Sequence, residues 1–244
     1  MNRPSSKRTG FDLPYHPLQL CSWMLMLLNT LLLYTVILPT AQLVFACTVG
    51  LAYAVAGFFT VKFGYALTRS DPTDLTTEAG NTLFCSLCQR EVQRTAKHCV
   101  RCNRCVPGFD HHCKWVNNCV GASNYKVFLR LIYAVAAYFI VLLVAAGLAL
   151  IAAATDFDEF EARVDEVYPG GAYAVVASLA LCVLESVAFV GLDLTLIGLH
   201  LWLRKHFLTT FEYILQRRRG RQVATDPYTL NSPRQPDSSN KPNN

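Results

Sequence analysis

Seven of the chain's ten cysteines fall between residues 85 and 119: Cys85, Cys88, Cys99, Cys102, Cys105, Cys113 and Cys119. His98, His111 and His112 lie among them. Cysteines at Cys-x2-Cys spacing with nearby histidines are zinc ligands. The surrounding stretch, from about Ser70 to Tyr125, holds few large apolar residues and is too short to build a strong core, so it needs a staple. Disulfides would serve in an oxidising compartment, but the charge pattern set out below puts this stretch in the reducing cytosol, which leaves zinc. Two closed tetrahedral sites take eight ligands, and a repeat sorts the ten candidates. Cys85-x2-Cys88-x9-His98-x6-Cys105 recurs as Cys99-x2-Cys102-x9-His112-x6-Cys119, every ligand displaced by 14 residues. Equal spacing predicts equal geometry, hence two interleaved Cys3His sites holding two structural Zn2+ ions. The rival is a sequential assignment that puts Cys99 in the first site beside His98. It breaks the repeat and asks two adjacent residues to turn onto one metal.

The repeat leaves Cys113 and His111 unused, both within Asp110-His111-His112-Cys113. A spare thiol is often inert, but the neighbours of this one supply what a nucleophile needs. His111 can take its proton and Asp110 can orient that base, the logic of a hydrolase triad. Lys97, Arg101, Arg104 and Lys114 would favour thiolate over thiol. As a group at a membrane surface they could also meet phosphates or anionic lipid.

Long apolar runs must position this segment. Of 244 residues 52% are hydrophobic and only 16% charged, and the apolar residues are concentrated in Leu18–Leu38, Ala41–Val61, Leu131–Ala154 and Ala172–Leu203. A membrane-spanning helix needs about 20 such residues, which excludes an ordinary soluble protein and wholesale disorder. Backbone groups in hydrocarbon must be satisfied internally, so all four runs are expected to be helices. Segment 1–17 carries net +2, segment 68–130 net +4 and segment 204–244 net +5, whereas 155–171 carries net −5. Short basic segments stay in the cytosol. The expected fold is an all-α integral membrane protein: four transmembrane helices, with a cytosolic cysteine-rich zinc-binding domain between helices 2 and 3. Its parts are a cytosolic N-terminus (1–17), helices 1 and 2 (18–67), the cysteine-rich domain (68–125), helix 3 (126–154), an acidic lumenal loop (155–171), helix 4 (172–203) and a cytosolic tail (204–244). The net charge of +5 has this topological reading, so no nucleic-acid partner is expected.

The first run is too long for a signal-peptide core and has no clear small-x-small site after it, so it is expected to remain as a span. Trp23 and Trp202 sit near span ends, as interfacial aromatics do. Cys21, Cys47 and Cys182 read as small packing residues. Glu185 and Asp193, eight residues apart in the fourth run, are expected to be a hydrogen-bonded pair facing the bundle; an ion path is the alternative. The tail after Arg221, rich in Pro, Ser, Asn and Asp, is expected to be disordered.

The run HCVRCNRCVPGFDHHCKWVNNCVGASNYKVF resembles the DHHC family of protein S-acyltransferases, the palmitoyltransferases. Asp71-Pro72-Thr73 resembles that family's Asp-Pro-Gly, and Thr209-Thr210-Phe211-Glu212 its Thr-Thr-x-Glu, so the likeness extends over roughly residues 18–215. Tyr228 and Asn231 stand where part of a C-terminal motif would be. The resemblance implies that Cys113 accepts the acyl group, that His111 is its base and that Asp110 polarises His111. It further implies structural zincs on the eight ligands above, and Thr210 and Glu212 packed beneath the site. The implied co-substrate is a long-chain acyl-CoA, most often palmitoyl-CoA, and the implied partners are membrane-associated proteins with cytosolic cysteines. The compartment would be the Golgi, the endoplasmic reticulum or the plasma membrane. The acyl chain would lie among the four helices. Tyr138, 12 residues beyond Lys126, stands about 18 Å into the membrane at 1.5 Å per residue, a candidate ruler for its length. Two other classes compete: a membrane-anchored zinc interaction module, which needs no spare thiol, and a transporter using Glu185 and Asp193.

Overall fold

The computed structural model describes residues 6–73 and 82–225. Four of its helices are long and apolar enough to cross a membrane. The first, α1 (Pro17–Leu32), continues through a π turn at Leu33–Ile37. The others are α2 (Leu43–Arg69), α3 (Tyr125–Thr155) and α5 (Ala172–Lys205). Between α2 and α3 lie six short strands forming three separate antiparallel hairpins: β1–β2 (Thr82–Cys85, Arg90–Gln93), β3–β4 (Lys97–Cys99, Arg104–Val106) and β5–β6 (His111–Cys113, Asn118–Val120). The protein is thus a multi-pass, mainly helical membrane protein with a cysteine-rich insertion.

In the bundle α3 packs against both α2 and α5. Its fully buried Ala145 and Ala146 let backbones approach closely, which is how membrane helices gain contact where lipid is as apolar as leucine. The bundle core combines Leu33, Tyr53, Leu142 and Leu179 with Tyr138 and Phe139. Inside it Asn29 of α1 donates to Glu185 of α5 at 2.8 Å. Glu185 therefore has a partner on another helix, whereas Asp193 retains a buried carboxylate oxygen without one among the described residues.

Polar contacts tie the hairpins to the bundle. The carbonyls at the end of α2 have no helical partner, and Asn118 meets them: its Nδ2 donates to Leu67, Thr68 and Ser70 carbonyls at 2.9, 3.2 and 2.8 Å. The N-terminal segment lies across the same junction. Gly10 N–H donates to the Thr68 carbonyl at 2.7 Å, and Lys7 N–H to the Cys102 carbonyl at 3.0 Å. Gly10 seats tightly: a Cβ there would lie 2.0 Å from the Val116 carbonyl oxygen.

Two further helices occupy stretches read as loop and tail. In the acidic loop, α4 (Phe157–Asp165) starts where Asp156 Oδ1 accepts from Glu159 N–H at 3.0 Å. After α5, α6 (Thr210–Thr225) opens on a reciprocal cap: Thr209 Oγ1 accepts from Glu212 N–H at 3.2 Å, while Glu212 accepts from Thr209 N–H at 2.9 Å. The expectation of disorder after Arg221 is thereby corrected as far as Thr225; the rest of that expectation, with Tyr228 and Asn231, lies outside the described residues.

Candidate active site

Two tetrads of metal-ligating side chains form among the hairpins: Cys85, Cys88, His98 and Cys105, and Cys99, Cys102, His112 and Cys119. In the first, the three sulfurs lie 3.9, 3.2 and 3.8 Å from His98 Nδ1. In the second they lie 3.9, 3.3 and 3.8 Å from His112 Nδ1. The two sets of separations are nearly the same, as the sequence repeat predicts. They also suit tetrahedral zinc, whose bonds of about 2.3 Å to sulfur and 2.0 Å to nitrogen put neighbouring ligands roughly 3.5 Å apart. Each tetrad could hold a zinc ion with its sulfurs as thiolates.

The hairpins explain both the tetrads and the cysteine left outside them. Cys85 pairs with Arg90, Cys99 with Arg104 and Cys113 with Asn118, so each cysteine holds the same place in successive hairpins. Gln89, Asn103 and Asn117 have φ of 54°, 49° and 49°, the same turn conformation three times over. Cys113 is thus the leading cysteine of a third copy. In that copy Val116 replaces the second cysteine, and Lys126 and Tyr133 stand where His and Cys would follow. A thiol at that place in the hairpin but outside both tetrads is available for other chemistry. The sequence signal for this third copy was the same 14-residue step, continued once more.

Cys113 is 8% exposed, and its side chain is within hydrogen-bonding reach of His111. His111 Nδ1 lies 2.7 Å from Asp110 Oδ2. The other oxygen of the buried Asp110 accepts from the N–H of Thr210, at the start of α6, at 2.9 Å. Burial disfavours the charge on His111, but its bonds to Asp110 and Cys113 outweigh this and hold its pKa up to about 9. Burial also opposes ionisation of Asp110, yet hydrogen bonds from His111 and Thr210 keep it below the usual carboxylate range. Thiol, imidazole and carboxylate are thus coupled in sequence, Cys113 to His111 and His111 to Asp110, a set able to move a proton off sulfur and to stabilise the resulting imidazolium.

Residues 78–217 match the profile of the DHHC palmitoyltransferase family. The chain belongs to the DHHC palmitoyltransferase family. It is a protein S-palmitoyltransferase, a membrane acyltransferase with a cysteine-rich cluster between its second and third spans. No curated protein matches the chain.

The remaining expected residues of this palmitoyltransferase are dispersed. Lys97, Arg101 and Lys114 are exposed on the hairpins. Arg104 is not free to join them, which corrects the expectation that it meets phosphates. It is 2% exposed and its guanidinium binds Asp71 at 3.0 Å and Asn118 at 2.6 Å, joining two hairpins to the end of α2. A guanidinium's fixed fork suits such a junction, and the resemblance of Asp71-Pro72-Thr73 to a family motif finds its physical reason there. Thr210 lies beneath the site through its backbone, whereas Glu212 serves as a helix cap and is exposed. Tyr138 is buried at the meeting of three helices, its hydroxyl bonded to Tyr53 of α2 and to the Met26 carbonyl of α1 at 3.2 Å.

Sequence reading missed His200. This α5 residue is 1% exposed, and its ring centroid lies 6.0 Å from that of His111. Asp110, His111 and His200 bring ligand atoms within 4.8 Å of one another, which invites a third metal. The hydrogen bonds argue otherwise: Asp110 and His111 are bonded to each other, Asp110 also to Thr210, and His200 Nδ1 to the Tyr125 hydroxyl at 2.9 Å. No histidine-rich motif marks His200 in the sequence, since it stands alone in a transmembrane run.

Proposed function

We propose that this palmitoyltransferase works by a two-step exchange through Cys113, with a long-chain acyl-CoA, principally palmitoyl-CoA, as donor. The carrying observation is the His111–Cys113 contact with Asp110 behind it, on the one hairpin cysteine of the series that lacks metal partners. In the first step the Cys113 thiolate attacks the acyl-CoA carbonyl. The new sulfur–carbon bond forms as the bond to CoA sulfur breaks, and the proton held on His111 passes to the leaving CoA thiolate. In the second step His111 accepts the proton of a protein cysteine, whose thiolate takes the acyl group and releases Cys113. Exchange between thioesters is close to energetically neutral, which suits a transfer that must run in two halves.

The two tetrads each hold one structural Zn2+ in this reading, giving two per chain. Zinc supplies folding energy to the hairpins and takes no part in the transfer. The hairpins and both termini face the cytosol, the acidic stretch 155–171 faces the lumen or exterior, and the domain limits are those expected from the charge pattern. Lys97, Arg101 and Lys114 meet the CoA phosphates. The acyl chain lies among the helices, where each buried CH2 contributes about 0.8 kcal/mol, and its end is read by Tyr138. Substrates are membrane-associated proteins presenting cytosolic cysteines, on an endomembrane (Golgi or endoplasmic reticulum) or the plasma membrane.

The test is incubation of the purified protein with labelled palmitoyl-CoA, followed by hydroxylamine. The reading expects a protein-bound label that hydroxylamine removes, and two zinc ions per chain by metal analysis. A label that resists hydroxylamine, or none, contradicts the thioester intermediate.

A further inference from the structure

Asp110 fixes one nitrogen of His111, at 2.7 Å. That bond and the Cβ tether still leave the ring room to rock, and the contact with Cys113 is one that the reaction itself must break and remake, so keeping His111 on Cys113 calls for a further constraint. Phe128 of α3 meets the His111 ring edge-on, with centroids 5.1 Å apart, and meets His200 in the same way at 4.8 Å. His200 is in turn held by the Tyr125 hydroxyl on the first turn of α3. Placing an imidazole in a membrane helix where leucine would pack is costly, so packing alone does not account for a histidine there. The helix that carries it, α5, also leads within a few residues into α6, whose Thr210 N–H binds Asp110. One stretch of chain therefore backs both members of the Asp110–His111 pair.

We propose that His200 is a positioning residue for acyl transfer: with Tyr125 and Phe128 it forms the wall that sets the rotation of His111 and keeps its imidazole on Cys113. The inference rests on the reading of Cys113 and His111 as the acyl-transfer pair. Tyr125 and His200 act as one unit, because the hydroxyl fixes the His200 ring and that ring, through Phe128, fixes His111. An imidazole held at two sides stays in a reactive geometry, and small misplacements at reacting centres carry large rate penalties.

Three variants of the full-length zinc-loaded protein test this. His200→Phe keeps an aromatic ring and removes the Nδ1 bond, His200→Asn keeps a polar atom near that place, and Tyr125→Phe removes only the hydroxyl. The measurements are the maximal rate of acyl-enzyme formation, the KM for palmitoyl-CoA, iodoacetamide alkylation of the Cys113 peptide, Tm and zinc content. His200→Phe and Tyr125→Phe should each lower the maximal rate about 10- to 100-fold. KM, Tm and zinc content should stay near wild type, and Cys113 alkylation should slow in parallel. His200→Asn should restore part of the rate. The double variant His200→Phe/Tyr125→Phe should be no worse than either single one, because both break the same unit. Wild-type rates in His200→Phe, losses that follow Tm or KM, or losses that multiply in the double variant would each overturn the proposal. If His200→Phe does not fold, Tyr125→Phe decides the matter by the same criteria. Failure of wild type to form a hydroxylamine-sensitive adduct refutes the reading of Cys113 instead, whereas a normal wild-type adduct with unaffected wall variants refutes this inference alone.

Discussion

Adjacent histidines with different neighbours are the sharpest feature at the residue scale. His112 points its Nδ1 at three sulfurs, while His111 points its own at a carboxylate. His112→Ala should lose one zinc, whereas His111→Ala should keep both and slow acylation by about 10²- to 10⁴-fold, the usual loss for an acid–base group. Metal analysis beside a single-turnover assay checks the division, and equal zinc contents in the two variants would refute it. His111 also carries a pH signature. Its pKa of about 9 lies above the unfolded value near 6.5, so its partners' contribution to stability is complete below about pH 6.5 and is lost as pH rises through 9. The Tm difference between wild type and His111→Gln should therefore be largest at about pH 6 and shrink toward pH 9.5; a difference that stays constant with pH contradicts the assignment. The sorting of these neighbours was legible because ligand spacing is strict: it places His112 with Cys99, Cys102 and Cys119 and leaves His111 outside both tetrads. Arg104 and His200 were not, since the sequence shows a basic residue or a histidine but not the partner that buries it.

The element scale turns on how three small hairpins are fastened to helix ends. Asn118 caps α2 and accepts from Arg104, so one amide joins a span, a hairpin and an inward-facing guanidinium. Asn118→Ala strands α2 carbonyls and part of the Arg104 charge, and should destabilise the protein by roughly 2–4 kcal/mol. Thermal unfolding against wild type reads this, and an unchanged Tm would mean that water replaces the amide at no loss. The spans themselves were plain in the sequence because hydrocarbon demands a long apolar run; α3, expected at 126–154, spans Tyr125–Thr155. The short polar helices α4 and α6 were overlooked because hydropathy carries no trace of them. Their signals were local: Asp156 three residues before Glu159, and Thr209 three before Glu212, each a helix-start pattern that the structure uses.

For the whole molecule, the bundle and the hairpins divide the labour between lipid and water. Tyr138 lies where α1, α2 and α3 converge, far along the helix from the hairpins that carry Cys113. If it closes the far end of the acyl chain's path, Tyr138→Ala should favour acyl-CoAs longer than those wild type prefers, measured as relative acylation rates across a chain-length series; an unchanged profile removes Tyr138 as a ruler. The central claim concerns a single thiol among ten. The two matched tetrads take six of the chain's cysteines and two of its histidines, and set them apart from Cys113 only if metal and acyl group never compete for the same sulfur. The direct measurement is to acylate the zinc-loaded enzyme with palmitoyl-CoA, map the thioester by mass spectrometry, and repeat with Cys113→Ser. The account predicts the acyl group on the Cys113 peptide in wild type, and no hydroxylamine-sensitive adduct in Cys113→Ser although both zincs and the Tm are retained. An adduct on any other cysteine, an adduct that survives in Cys113→Ser, or loss of zinc from that variant would contradict it.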